Sequence, residues 1–177
     1  QQVSPEYGTR DDFRRLAADA HRRGLKVVLD GVFNHMGRNA PIFQQAFADP
    51  ASPYRDWFAI GPQYAGGARV WTGFQNHPEL NLENPAVRDH LYATPGSVLR
   101  SWLRDGADGW RLDTAYELGH GILRELTDAA HAEKPGLPDD DHPGGTPSPS
   151  DRSEHVRAAL RSLRGAIADH ENSMVEP

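Results

Sequence analysis

Arg111 and Asp113 stand one residue apart near the end of ADGWRLDT, residues 107–114. The run is short and reads as a buried strand. Side chains two apart on a strand point the same way, so the guanidinium and the carboxylate share a face. A neighbouring cation favours the charged form of a carboxylate. An ionised, partly desolvated carboxylate can attack an electrophilic carbon or steady a developing cation. A second polar group marks the other apolar run, LKVVLDGVF at 25–33, where Asp30 lies near its end and Asn34 and His35 follow it. Each residue also has a plain structural reading. An Arg-x-Asp pair is commonly a salt bridge, Asp30 could cap a loop, and His35 could be a hydrogen-bonded loop histidine. Asn34-His35 lacks the second histidine of a zinc site, so a zinc reading is poor.

The surrounding elements set where these groups can meet. Thr9 and Asp12 have the spacing of a capping box, and Phe13, Leu16, Ala17 and Ala20 follow helical periodicity up to Gly24. The run 25–33 is β-branched and almost continuously apolar, as in a parallel strand covered on both faces. Residues 36–80 hold Gly, Pro, Asn and aromatics without sustained periodicity, apart from a short helix expected at 41–49 and a short strand within AGGARVWTGF. A loop of that length inside a domain is usually functional. Trp57, Trp71 and Phe74 within it are either core or ring-stacking surfaces. Asn84 as N-cap with Pro85 behind it opens a second helix that Thr94-Pro95-Gly96 should interrupt. The strand 107–114 follows, then a helix over about 120–132. Helix, strand, insertion, helix, strand, helix is the order of a parallel α/β fold, whose ligand sites gather at the C-terminal strand ends. Both polar groups lie there.

Composition narrows the partners. The net charge of −6 gives nucleic acid no electrostatic support. There is no cysteine for a disulfide or thiolate site and no apolar run of membrane-spanning length. No secretory leader is visible, which with the missing cysteines favours the cytoplasm. Oligomeric state stays open.

DGVFNH at 30–35 resembles the first signature of the α-amylase family of glycoside hydrolases, Asp-x-x-x-Asn-His. GWRLDTA at 109–115 resembles the second, Gly-x-Arg-x-Asp. YGTRDDFRRLAADAHRRGLKVVLD is similar to the family's approach to its third barrel strand. HPELNLENPAVRDHL at 77–91 looks like the short signature of the neopullulanase and cyclomaltodextrinase branch, where Met-Pro-Lys-Leu-Asn is usual; His77 and Glu79 depart from it. The resemblance covers about residues 5–136. It implies an α/β fold that is part of a (β/α)8 TIM barrel, built around strands 3 and 4, with an irregular insertion between strand 3 and its helix. On that template 1–35 and 81–136 are barrel segments and 36–80 is the inserted subdomain. The resemblance further implies a retaining enzyme acting on α-glucan oligosaccharides. Asp113 would be the nucleophile, Arg111 would orient it and Asp30 would hold Arg111. His35 would bind sugar hydroxyls at the cleavage point. Trp71, as one of the insertion's aromatics, is a further substrate-binding candidate on its residue type alone. Asn34 matches a calcium-binding position of many α-amylases, an ion that the neopullulanase-like branch does not always keep.

The match stops short of a second catalytic carboxyl, which retaining chemistry places roughly 5 Å from the nucleophile. After Gly136 the family's apolar strand ending in Gly-Glu is replaced by a Pro/Gly-rich linker, 137–150, and an amphipathic helical tail within 151–177. Glu176 lacks the preceding glycine and strand and is a poor candidate for the acid. The expectation is a piece of a glycosidase that is weakly active or inactive alone. The alternative is a non-catalytic carbohydrate-binding or remnant fragment.

Overall fold

The structure is a computed structural model and describes residues 5–136. The chain divides into two units, Gln1–Leu137 and Pro138–Pro177, and the described residues all fall in the first. The expected linker, the helical tail and Glu176 lie outside the described residues.

Helix α1 spans Arg10–Arg22. Its capping box forms as the spacing predicts: Thr9 accepts from the Asp12 backbone, and the Asp12 carboxylate accepts from the Thr9 backbone amide at 2.7 Å. Strand β1, Val28–Gly31, lies parallel to β2, Gly109–Leu112, and Asp30 faces Arg111 across the ladder. Both strands are shorter than their apolar runs. Each has one partner among the described residues, and regular strand pairing holds only where the two overlap, with Asp108 N–H to Val27 O at 2.6 Å and Asp113 N–H to Gly31 O at 3.0 Å extending it by single bonds.

The insertion folds without long elements. Helix α2, Pro41–Ala48, buries Phe43 and Ala46. No regular strand forms in AGGARVWTGF; isolated antiparallel bridges join Ile60 to Ala68 and Val70 to Pro78. The second helix region breaks into α3, Pro85–Arg88, a π-helical turn, Asp89–Ala93, and α4, Val98–Arg104. The π turn turns Tyr92 into the core, where its hydroxyl donates to Glu125 Oε2 at 2.7 Å. Helix α5, Ala115–Glu133, is broken at Gly119, whose φ 77° and ψ 153° are not helical, so a short turn over 115–118 precedes the continuous helix expected from about residue 120. One hydrophobic cluster links Phe33, Val87, Leu99 and Leu126 to Phe43, Trp57 and Phe58 of the insertion. Trp57 is thereby a core residue.

The N-terminal strand ends are tied together by Asp108. Its carboxylate, 7% exposed, accepts from Val27 N–H at 2.9 Å and from Lys134 Nζ at 2.8 Å, and meets His21 Nε2 at 2.6 Å. Lys134 Nζ also donates to Ala107 O at 2.9 Å. Gly106 just before has φ 119°, and a Cβ there would meet the Ala17 Cβ at 2.8 Å, so glycine lets the start of β2 close on α1.

An open cavity of about 760 Å³ lies along α1, β1 and α4. Phe13, Leu16, Leu29, Phe33, Trp102 and Trp110 give it an apolar lining. Asp30 reaches it, but Arg111, Asp113, His35 and Trp71 do not line it, so this hollow is not where the polar chemistry gathers.

Candidate active site

Parallel pairing of β1 with β2 puts Asp30 opposite Arg111, and the period of two puts Asp113 on the same side. Arg111 Nη1 donates to Asp30 Oδ1 and to Asp113 Oδ1, both at 2.8 Å. A single guanidinium nitrogen therefore bridges the ends of the two strands. The two carboxylates, Asp30 first, hold the guanidinium above its ordinary range. Arg111 and Asp30 are well exposed, whereas the Asp113 side chain is 27% exposed. Asp113 is the sheltered end of the triad, where a carboxylate keeps reactivity that full hydration would quench. Thr114 follows in the left-handed region at φ 47°, and its buried Oγ1 has no hydrogen-bond partner.

His35 comes to this end along the backbone of the insertion. It bridges to Glu79, Leu80 N–H donates to Asn34 O at 2.9 Å, and Met36 N–H donates to Pro78 O at 3.1 Å. The ring is buried, stacks on Trp71 with centroids 4.8 Å apart at 13°, and meets the His77 ring edge-on at 5.1 Å. Burial, followed by neighbouring His77, lowers the His35 pKa; the charges of Asp113, Glu117 and Glu79 oppose this without reversing it. Asp113 is thus close enough for its charge to act on the imidazole, and the folded protein favours the neutral ring.

The pH consequence follows from the sign. The folded pKa lies below the unfolded one, so the unfolded chain takes up the proton first as pH falls below about 6.5. Above that pH His35 adds no pH dependence; below it, stability declines. Urea midpoints should fall between pH 7.5 and pH 5.5, and His35→Gln should reduce that fall. An unchanged fall in the variant would show that His35 is not held neutral by the fold.

Asn34 is buried, and its Nδ2 donates to Glu117 Oε2 at 3.4 Å. Among the described residues no group of three His, Asp or Glu side chains is arranged to hold a metal ion. Glu117 escaped the sequence reading. Its signal was its place in the first turn of α5, four residues beyond Asp113. Glu79 is charge-paired with Arg69 at 2.5 Å, so a carboxylate at this position carries its own counter-ion.

An arginine-bridged carboxylate pair and a histidine thus gather at the C-terminal ends of a parallel βα arrangement, and comparison with known proteins gives the family. The sequence profile of the α-amylase catalytic domain matches residues 1–171, and the chain belongs to that family, whose members are glycoside hydrolases acting on O-glycosyl bonds. Neopullulanase 2 of Thermoactinomyces vulgaris is 37% identical over 132 residues, which is 70% of this chain and 22% of that protein. A cyclomaltodextrinase of a Bacillus species is 36% identical over 133 residues, 71% of this chain and 23% of that one. The chain therefore spans under a quarter of the length of these relatives. Among solved structures, the cyclic α-maltosyl-(1→6)-maltose hydrolase of Arthrobacter globiformis in complex with maltose superposes with a TM-score of 0.69 at 32% identity, covering 77% of this chain and 32% of that one. Family neighbours of this kind imply a (β/α)8 barrel domain, of which the helices and small parallel sheet described here are a part. No helix among the described residues is long and apolar enough to cross a membrane.

Proposed function

We propose that this chain carries the nucleophile of a retaining glycosidase or transglycosylase that acts on α-glucosidic bonds of starch-derived oligosaccharides. In this reading β1 is the third barrel strand, β2 the fourth, and residues 36–80 the subdomain that protrudes after the third. The Asp113 carboxylate attacks the anomeric carbon of an α-glucosyl unit. The bond to the leaving-group oxygen breaks, and a glycosyl ester of inverted configuration forms. Water, or a sugar hydroxyl in transfer, then attacks the same carbon. The ester bond breaks, the original configuration returns and Asp113 is free again. Arg111 aims the carboxylate and steadies its charge, and Asp30 anchors Arg111 from the neighbouring strand. Neutral His35 can donate or accept a hydrogen bond to sugar hydroxyls, and Trp71 backs its ring. A second carboxyl must protonate the leaving group, and none of the residues assigned here takes that part.

The observation that carries this reading is the Arg111 nitrogen shared by Asp30 and Asp113. Trapping tests it. In 5-fluoro-α-D-glucosyl fluoride the leaving group departs without a proton, and the ring fluorine slows breakdown of the ester. Mass spectrometry of the digested chain should find the fluoroglucosyl group on the peptide containing Asp113. A folded chain that forms no adduct, or forms it elsewhere, sinks the assignment. A second reading, a non-catalytic glucan-binding fragment, draws on the aromatic cluster around His35 and predicts maltotriose binding without an adduct.

A further inference from the structure

His35 lacks the bond that usually orients a working histidine. Such a ring is commonly set by the hydrogen bond its second nitrogen makes. Here Nδ1 is buried and without a partner, as are Nδ1 of His77 and Nε1 of Trp71 beside it. The last torsion of a histidine is broad and roughly two-fold, so ring contacts have to fix its orientation. Trp71 covers one face of the imidazole, with centroids 4.8 Å apart at 13°. His77 stands perpendicular to it, with centroids 5.1 Å apart at 90°. It also lies 6.0 Å from Trp71 and 5.9 Å from Phe74, which stacks on Trp71, so His77 stands beside the stack and not on its end.

The backbone brings His77 there. Leu80 N–H donates to Asn34 O at 2.9 Å, Met36 N–H to Pro78 O at 3.1 Å and Arg38 N–H to Asn76 O at 2.9 Å, an antiparallel register that pairs His35 with Glu79. Continued by two residues, that register sets Gly37 opposite His77. Alternation then puts His35, Gly37, His77 and Glu79 on one side of the pairing. Diagonal neighbours of this kind are within reach of ring side chains, and Gly37 offers no side chain to come between them. His77 is pinned within its own loop too, donating its N–H to Phe74 O and accepting from Trp71 N–H, both at 2.9 Å. Methionine, usual at this position of the short signature, would give His35 no ring to rest against.

We propose that His77 is a positioning residue: it keeps the His35 ring from turning, so that His35 meets sugar hydroxyls in one orientation. The stack on Trp71 fixes the plane of the imidazole, yet sliding and turning over remain open to a stacked pair. A ring at right angles beside the stack closes both routes, and rings favour such edge-to-face contact. The inference rests on the sugar-binding reading of His35 and deepens it by naming what holds that ring in place.

Two readouts on the 177-residue chain test it: fluoride release from α-glucosyl fluoride, and the His35 ring signals in proton–carbon NMR spectra, assigned by their loss in His35→Gln. His77→Ala should lower kcat/KM for fluoride release about tenfold, inside the roughly 10²-fold that an ångström of misplacement can cost. It should also shift and broaden the His35 ring signals. His77→Phe keeps a ring in the same place and should restore both readouts, which His77→Gln should not. In a His35→Gln background His77→Ala should cost nothing further, because a residue that acts through His35 has no effect once His35 is gone. Circular dichroism shows which variants are folded; should His77→Ala not be, His77→Gln against His77→Phe carries the comparison. A tenfold loss that persists in the His35→Gln background, or His35 ring signals left as in wild type, overturns the proposal. Adduct formation on Asp113 at the wild-type rate in His77→Ala sinks the positioning role alone, whereas a wild-type chain that forms no adduct removes the sugar-cleaving reading and the proposal with it.

Discussion

Replacing Asp113 by asparagine should lower fluoride release from α-glucosyl fluoride by roughly 10⁴–10⁶-fold, the scale on which removing a covalent nucleophile acts. Asparagine has nearly the same shape and can still accept from Arg111, so the change isolates the negative charge and its nucleophilic oxygen. Fluoride needs no proton to leave, so the assay reads the attacking carboxylate and not the acid that natural substrates require. Arg111→Lys should cost less. Lysine keeps a positive charge but presents it as a compact ammonium without the planar guanidinium fork, so it holds Asp30 and Asp113 less firmly in place. A fluoride electrode measures the rates, and circular dichroism shows that the variants are folded. Release by Asp113→Asn within a few-fold of wild type would mean that another group attacks the sugar.

The parts of this site that were legible in the sequence are those set by short spacing. Arg111 and Asp113 are two apart on a strand, so their shared face follows from the pleat alone. The Thr9–Asp12 capping box is equally local. Asp30 opposite Arg111 needed the register of two strands 81 residues apart, which the apolar runs suggest but cannot fix. Strand length was overread for a related reason: apolar character marks what can be buried, whereas pairing requires a partner. The row of His35, Trp71 and Phe74 was beyond reach, because it depends on bridges from Val70 to Pro78 and from His35 to Glu79 that leave no periodicity in the insertion. Gly119, at φ 77° and ψ 153°, separates the turn over 115–118 from the helix that follows, close to the start expected at about residue 120.

Asp108→Ala should lower the unfolding free energy by about 3 kcal/mol. That is the lower end of the range for breaking a buried ion pair from one side. The lower end applies because Lys134 and His21 are about a third exposed and can turn toward water, whereas the Val27 amide loses its side-chain acceptor. Burial alone would raise the Asp108 pKa, but hydrogen bonds from Lys134, the Val27 amide and His21 outweigh it and hold the carboxyl well below the usual range. The folded pKa is therefore below the unfolded one. The stabilisation is fully present above about pH 4 and drains away as pH falls through the folded value. Wild-type stability should drop steeply in acid, and Asp108→Ala should flatten that drop. Asp108→Asn keeps an acceptor for Val27 and Lys134 without the charge, so it should lie between the two. Urea titrations at pH 7 and at about pH 2 measure all three. The three ties join α1, the start of β1 and the end of α5 at the strand ends opposite Asp113. At a temperature where the variants remain folded, the rate of adduct formation on Asp113 should therefore stay near wild type. A stability loss under about 1 kcal/mol, or an adduct rate that falls in step with stability, would show that Asp108 is not the separate anchor its contacts describe.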